Sequence, residues 1–520
     1  MYINYSTTGQ LVLPMDIEVL IPEHHLCRIV DLAVEKMNPM ILCSLHPGGG
    51  RPPYHPKMML KIILYAYVNR MYSSRQIAKQ LDENIYFMWL SGSQKPDFRT
   101  INRFRSNRMK DVIYQTFFSV VDLLCQEGLV KLEDYYFDGT KIEANANKYT
   151  FVWRKSTEKY DQKLDEKFQQ ILLSIEEVTK EDEQAEKELN FQEKLEASPI
   201  TAEKISETVK KLEERLEQEP KNKVLKKAKR QIEKDLLPRK VKYEGQKETF
   251  GDRNSFSKTD NDATFMRMKD DHMKNGQLKP GYNIQIGTEG QFITGFSLHQ
   301  RAGDPGCLIP HLELLKHYNR PLPKNWISDS GYGSEENYAQ CEEDGIKAYI
   351  KYNTFDKEQT KAWKEQVGRV ENMTYDDELD EWVCKNNKRL VFQYESRRKS
   401  ENGYLSIKRT YLCTDCPNCP FQDTCAKGKE TKSIKVSMEN QKQRKEVREL
   451  LSTEEGENKY RQRKIDVEPV FGQIKYNRGF NRFSLRGLSK NTTEWGLICV
   501  AHNILKWEST MKKRIKTSKK

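Results

Sequence analysis

The chain has 520 residues, more than one hydrophobic core usually supports, so roughly two to four domains are expected. Lys and Arg number 88 against 76 Asp and Glu, giving a formal charge of +12, and only 37% of residues are hydrophobic. With 27 glycines, 11 cysteines and a mean hydropathy of −0.84, the chain is not collagenous, not a small disulfide scaffold and not a membrane protein.

Residues 1–14 (MYINYSTTGQLVLP) lack a basic segment followed by an apolar one. No secretory signal is read, and a reducing, cytoplasmic location is expected. Residues 1–55 read as a short cap closed by the turn-rich HPGGGRPPYHP at 46–56. Helical patterns follow at 56–70, 73–83 and 96–110, with a short apolar segment at 85–92. Together they suggest an N-terminal, helix-turn-helix-like domain over residues 1–125. Residues 56–110 carry 11 basic and 3 acidic residues, a net +8. Arg99, Arg103, Arg105 and Arg108 on one late helix point to DNA. The plainer reading is a bundle with a basic solvated face.

A helix is expected at 112–126, then a strand through Tyr135, Tyr136 and Phe137 that runs into a turn at Asp138-Gly139-Thr140. Residues 155–248 hold 22 basic and 23 acidic residues among 94. Leu164, Phe168, Ile171, Ile175 and Val178 step by 4, 3, 4 and 3, and Ile205, Val209, Leu212 and Leu216 by 4, 3 and 4. This is read as a charged helical insert, a hairpin or short coiled coil. A β-hairpin is expected at 281–300 with its turn at EGQ. A helix follows at 303–318, a strand ending at Asp329, a helix and a strand at 347–352. That layout is α/β, with residues 130–354 as the first part of its core.

Residues 355–455 mix strand patterns with cysteines and read as a second insertion. Residues 456–520 supply the last helices and a basic tail; residues 458–520 hold 16 basic and 4 acidic residues, net +12. Pro469 suits the first turn of one of these helices. The apolar stretch 496–507 is too short to span a bilayer and contains His502 and Lys506. His502 reads as packed rather than catalytic.

Three carboxylates draw notice: Asp138 and Asp329 after strands, and Glu468 in an early helical turn. Each has a structural alternative, respectively a turn, a helix cap and a partner of the helix dipole. Spacing alone does not link them.

FDGTKIEANANK, ISDSGYGSEEN and VEPVFGQIKYNRGFNRFSLRG together resemble the DDE transposases of bacterial insertion sequences, as do SSRQIAKQL and PDFRTINRFR nearer the N-terminus. The likeness covers most of the chain outside 155–248. It implies an RNase H-like core, with Asp138, Asp329 and Glu468 as the catalytic, metal-holding triad. The family's Y-x2-R-x3-E-x6-K signature is matched at Glu468 and Lys475. Upstream it departs: Tyr460 and Arg463 keep their mutual spacing, but four residues precede Glu468. Arg461 and Lys464 occupy the strict Tyr and Arg positions.

The chemistry accords with that resemblance. Phosphodiester cleavage needs an activated oxygen nucleophile and a stabilised leaving oxygen, which Mg²⁺ (Mn²⁺ as substitute) supplies from carboxylate ligands. Lys475, Arg478, Arg482 and Arg486 are expected to extend a DNA surface beside the triad, with Arg99, Arg103 and Arg105 on the N-terminal domain. Cys413-x2-Cys416-x2-Cys419-x5-Cys425 suits structural Zn²⁺. Unligated thiols and an Fe–S cluster are the alternatives, and Cys384 is a substitute member.

The expected protein is a transposase. It binds double-stranded DNA at the terminal inverted repeats of its element and at the target, cuts and joins strands, and acts as a homodimer. It has no membrane partner and associates with the nucleoid. The rivals are an RNase H-like nuclease without strand transfer and a catalytically inactive, transposase-derived DNA-binding protein.

Overall fold

The computed structural model describes residues 16–43, 45, 53–179, 199–268 and 276–518. The segment 1–14 and most of the turn expected at 46–56 lie outside the described residues. The chain divides into two compact units. One is drawn from residues up to 142, 283–299 and 303 onward; the other comprises 143–282 and 300–302.

Five strands of the central sheet run through the first unit: β1 (Asp134–Glu143), β2 (Leu278–Glu289), β3 (Phe292–His299), β4 (Asn325–Gly333) and β5 (Lys347–Tyr352). Their order is β3-β2-β1-β4-β5. β2 and β3 are antiparallel, whereas β4 runs parallel to both β1 and β5. This mixed sheet with its covering helices is the expected RNase H-like core.

β1 is buried on both faces, which is why Tyr135, Tyr136 and Phe137 form an unbroken apolar run. The Tyr135 ring fills the space over Gly287 and Gly295, where an added Cβ would fall within 1.8 and 2.0 Å of it. Tyr135 stacks on Trp326 of β4, ring centroids 4.7 Å apart, and its hydroxyl meets His311 Nε2 at 2.6 Å. The expected hairpin forms through Gly290 and Gln291, both at positive φ (61° and 65°), as a two-residue turn requires. β1 does not turn at Asp138-Gly139 as expected. It continues to Glu143, because Gly139 leaves room for the Gln285 amide, 2.3 Å from where a Cβ would stand.

The helices Pro56–Val68, Ser74–Glu83, Ile85–Ser91 and Phe98–Arg103 precede Ile113–Gln126. The last helix, Leu488–Ser518, packs on Pro56–Val68, on Ile113–Gln126 and on β3. The N-terminal helices therefore share their core with the sheet. The apolar stretch 496–507 is the buried face of that helix: Leu497, Ile498, Val500 and Ile504 are inaccessible to solvent. A Cβ on Gly496 would lie 2.4 Å from Ile113 and 2.9 Å from Phe296, so a glycine is needed for this close approach. Among the described residues no helix is long and apolar enough to cross a membrane. His502 on this helix is buried, with Nε2 2.9 Å from the Gln291 carbonyl, a packed role as expected.

After β5 comes a separate antiparallel meander: β6 (Thr374–Asp376), β7 (Glu381–Val383), β8 (Arg389–Lys399), β9 (Leu405–Cys413) and β10 (Lys432–Val436). Trp382, Leu390, Tyr411, Ile434 and Val436 form its small core. The helices Met438–Ser452 and Glu454–Asp466 lead back toward β5 and β4.

The second unit contains the helices Arg154–Thr179, Ala202–Gln218, Lys223–Gln231 and Leu237–Phe250. The expected apolar repeat is buried at Leu164, Phe168, Ile175, Ile205, Val209 and Leu212. Ile171 and Leu216 are partly buried against it, and the side chain of Val178 lies outside the described residues. The result is a bundle rather than a two-helix coiled coil, because Leu225, Ala228, Ile232 and Leu236 supply a further apolar face. Lys240 is buried between Asp161 (2.9 Å) and Asp165 (2.6 Å), and Lys247 also meets Asp161.

Candidate active site

Asp138 and Asp329 come from neighbouring parallel strands. The last regular pairs of β1 and β4 are Tyr136 with Ile327 and Phe137 with Ser328. The next step of that register, one pair past the last bridge, would bring Asp138 opposite Asp329. β4 and β5 lose regular pairing after Ser328 and regain it only at Gly333. Asp329 thus stands where the strands part, and strand ends are where open α/β sheets hold ligands. Asp138 Oδ1 accepts from the Gly139 amide at 2.7 Å, and Asp329 Oδ1 from the Gly331 amide at 2.8 Å.

Glu468 arrives from the chain's C-terminal part. Helix Glu454–Asp466 ends at Val467, and a new turn, Glu468–Gly472, opens with Pro469 near its start. The unexpected residue before Glu468 is absorbed at this break. Tyr460 and Arg463, three residues apart, turn toward β4 and the acids, while Arg461 and Lys464 are exposed. Arg463 is buried. Its Nη1 lies 3.9 Å from Asp138 Oδ2, its Nη2 donates to Glu468 Oε1 at 3.5 Å, and its Nε has no hydrogen-bond partner. The guanidinium carbon is 5.8 Å from the Tyr460 ring centroid. Burial lifts the Tyr460 phenol above its usual pKa; Arg463 opposes that shift and Asp329 adds to it. Arg463 thus lies near both Asp138 and Glu468, and Asp329 bears on the Tyr460 phenol electrostatically.

A buried polar layer backs the two aspartates, and sequence reasoning missed it. Tyr332 donates to Gln285 Oε1. The Gln285 amide reaches Asn283 at 2.9 Å and Asp304 at 3.3 Å, and Asn283 Nδ2 donates to Asp304 at 2.7 Å. Burial pushes the Tyr332 phenol well above its usual pKa, reinforced by Asp138, Asp304 and Asp329. A signal was present: Asn283 and Gln285 alternate with Tyr282, Ile284 and Ile286 in a strand with no solvent-facing side.

Among the described residues no three His, Cys, Asp or Glu side chains stand close enough to hold a metal ion between them. The acidic site nevertheless fits Mg²⁺ in kind. Its donors are hard carboxylate oxygens, and Mg²⁺ is commonly held by one or two carboxylates, with water and substrate phosphate completing its shell.

The zinc expectation fares differently. Cys413 and Cys416 are buried in the core of the meander, with Cys384 packed against them. Cys416 Sγ accepts from the Lys432 amide at 3.3 Å, and Cys419 Sγ from Asn386 Nδ2 at 3.4 Å. Among the described residues, Cys413, Cys416, Cys419 and Cys425 form no disulfide and no group close enough to hold a metal ion.

The expected DNA-binding residues divide by burial. Arg99 and Arg103, one helical turn apart, are exposed beside a groove of about 560 Å³ that also takes in Ser73, Arg75 and Phe98. Arg105 is a correction: two residues beyond Arg103 it faces inward, donating to Tyr67 Oη (3.0 Å), the Tyr72 carbonyl (2.7 Å) and Asn102 (3.0 Å). Arg478 is also buried, donating to the carbonyls of Tyr67 and Val68. Lys475 is buried in the π-helical turn Gln473–Asn477, whose wider winding departs from the regular helix assumed for the Glu468–Lys475 face. Arg482 and Arg486 are exposed, in a loop whose Ser484 and Leu485 amides donate to the buried Glu494 at 3.0 Å.

Two family models match the chain. One, described as a transposase DDE domain, matches residues 383–507; the other, a transposase domain (DUF772), matches residues 15–107. No curated protein and no solved structure matches it. With a transposase domain at each end and the sheet between, the protein is of the transposase class. More particularly, the two matches support an insertion-sequence DDE transposase. The DDE match spans Glu468 and the cysteines but neither aspartate, so Asp138 and Asp329 rest on strand register.

Proposed function

We propose that the chain binds the ends of a mobile element and catalyses divalent-metal-dependent strand cleavage and strand transfer at Asp138, Asp329 and Glu468. The observation that supports this reading is the register of β1 and β4, whose continuation past Phe137 and Ser328 leads to Asp138 and Asp329, with Arg463 lying between Asp138 and Glu468. Mg²⁺ or Mn²⁺ held there would activate the attacking oxygen and stabilise charge on the leaving one.

The chain's own residues account for the rest. Asp138 and Asp329 present their carboxylates from rigid strand ends, and the Asn283–Gln285–Asp304–Tyr332 layer holds those ends in place. Glu468 approaches at the start of a short helix, free to adjust. Arg99 and Arg103 at one DNA segment, and Arg482 and Arg486 at another, neutralise phosphates and release counterions. Joining two element ends calls for a second copy of the chain, so a homodimer on double-stranded DNA is the working assembly.

The test incubates the full chain with a labelled duplex carrying the element end, a supercoiled target plasmid and Mg²⁺ or Mn²⁺. Transfer of label into the plasmid is expected, with loss of cleavage and joining in Asp138→Asn, Asp329→Asn and Glu468→Gln. Cleavage without joining would make the protein a nuclease. No metal-dependent reaction on the correct end would leave a DNA-binding protein only.

A further inference from the structure

Arg463 makes unusual contacts for a buried arginine. Its side chain is 10% exposed, yet the approach to Asp138 is 3.9 Å and the bond to Glu468 is 3.5 Å. Buried Arg105, in the same unit, makes three bonds of 2.7–3.0 Å. The contacts of Arg463 to its two carboxylates are thus long beside those of Arg105, and both carboxylates belong to the proposed metal site.

Two cations cannot share those oxygens without repelling each other. A divalent ion at Asp138 and Glu468 raises the electrostatic energy of a guanidinium 3.5–3.9 Å from the same carboxylates. Arg463 has a second natural partner. A planar guanidinium binds phosphate as well as carboxylate, and the DNA strand to be cut must bring a phosphate to this place. Arg463 sits on the last turn of Glu454–Asp466, beside the break at Val467. A small rearrangement there can redirect its head without disturbing the sheet.

We propose that Arg463 couples metal to DNA: it competes with the divalent cation for Asp138 and Glu468, and a DNA phosphate relieves the competition by drawing the guanidinium away. This rests on the metal site of the preceding section. Coupling is reciprocal, so metal and DNA each strengthen the other's binding by the same factor. The site is then held in low-affinity form until a DNA strand occupies it.

The test measures Mn²⁺ affinity of the full-length protein without DNA, by the electron paramagnetic resonance signal of free Mn²⁺. Melting curves confirm that each variant is folded. Arg463→Gln is expected to bind Mn²⁺ at least about tenfold tighter than the unaltered chain, the scale of one neighbouring charge screened nearly as in bulk water. Arg463→Lys, which keeps the charge, is expected to stay close to the unaltered chain. Lys459→Gln controls for a general loss of positive charge; Lys459 pairs with Asp134 at 2.6 Å rather than with the triad. It is expected to change little. If Arg463 only supported the site structurally, Arg463→Gln would bind Mn²⁺ more weakly. Unchanged or weaker binding in Arg463→Gln overturns the proposal. Asp138→Asn separates the two readings. Loss of Mn²⁺ binding there, with no gain in Arg463→Gln, removes the coupling and keeps the metal site; Mn²⁺ binding unaffected by Asp138→Asn removes both.

Discussion

Two places in this chain set a buried cation among carboxylates, and they are built differently. In the helical unit, Lys240 lies 2.6–2.9 Å from Asp165 and Asp161, and Lys247 closes on Asp161 as well. Near the end of β1, Arg463 stands 3.5–3.9 Å from Glu468 and Asp138. The first is a compact ionic knot inside a bundle whose surface is mostly charged. In the second, the acids and the base are near neighbours on separate elements, a strand and two helix turns. Close, repeated contacts mark a cation that is part of the fold. Longer contacts at the second place suit a cation that can exchange partners.

The comparison can be broken most strongly at the acids. Asp138→Asn and Asp329→Asn should each lower end cleavage by about a thousandfold or more, the scale seen when a preorganised charged group is removed from an active site. Both should melt near the unaltered chain, since Asn is isosteric with Asp and still accepts the Gly139 and Gly331 amides. A large fall in melting temperature with cleavage retained would reverse the assignment.

Lys240→Ala should show the opposite pattern. Urea unfolding should reveal a loss of about 3–5 kcal/mol from the helical unit, because buried Asp161 would keep only Lys247 and half-buried Asp165 would lose its Lys240 partner. Removing all the charges together, as Lys240→Met with Asp161→Asn and Asp165→Asn, should recover much of that loss. An unfolding midpoint unmoved by Lys240→Ala would show the knot to be ornamental.

His502 offers a pH test of a buried group with no functional partner. Burial lowers its pKa to about 4, so the folded chain keeps it neutral where the unfolded chain would protonate it. Its stabilising contribution is complete above about pH 6.5 and is lost as pH falls toward 4, by roughly 3 kcal/mol in all. His502→Gln should flatten the stability profile in that window. An equal slope in both proteins would contradict the burial of His502.

The smallest effects belong to the exposed arginines. Arg99→Ala and Arg103→Ala should each weaken binding to any duplex severalfold and reduce the salt slope by about one. Arg105→Ala should instead lower the melting temperature with no change in slope per phosphate, since its guanidinium is spent on Tyr67, Tyr72 and Asn102.

Much of the fold was legible because local pattern and burial agree. The aromatic run of β1 and the Gly290-Gln291 hairpin could be read directly, and so could the heptad-spaced residues of the helical unit. The bundle itself was not legible, because period reveals an apolar face and not how many faces meet. The acids were legible mainly through the resemblance; what joins them, the pairing of Phe137 with Ser328, is a long-range register that no local window contains. Arg463 was obscured by the break at Val467, which shifts the spacing to Glu468 by one residue without moving Arg463 off the inner face. Arg105, Lys475 and Arg478 looked like surface because arginine and lysine usually are. Only the structure shows backbone carbonyls waiting for Arg105 and Arg478.

The central claim is that the strand-end acids hold the metal, and iron-directed cleavage of the protein backbone tests it most directly. Fe²⁺ substituted for Mg²⁺, with ascorbate and peroxide, produces hydroxyl radicals that cut the chain next to where the ion sits. Cuts are expected close to residues 138, 329 and 468, suppressed by excess Mg²⁺ and absent from Asp138→Asn. Cuts confined to other parts of the chain, or cuts at these positions that persist in Asp138→Asn, would contradict the account.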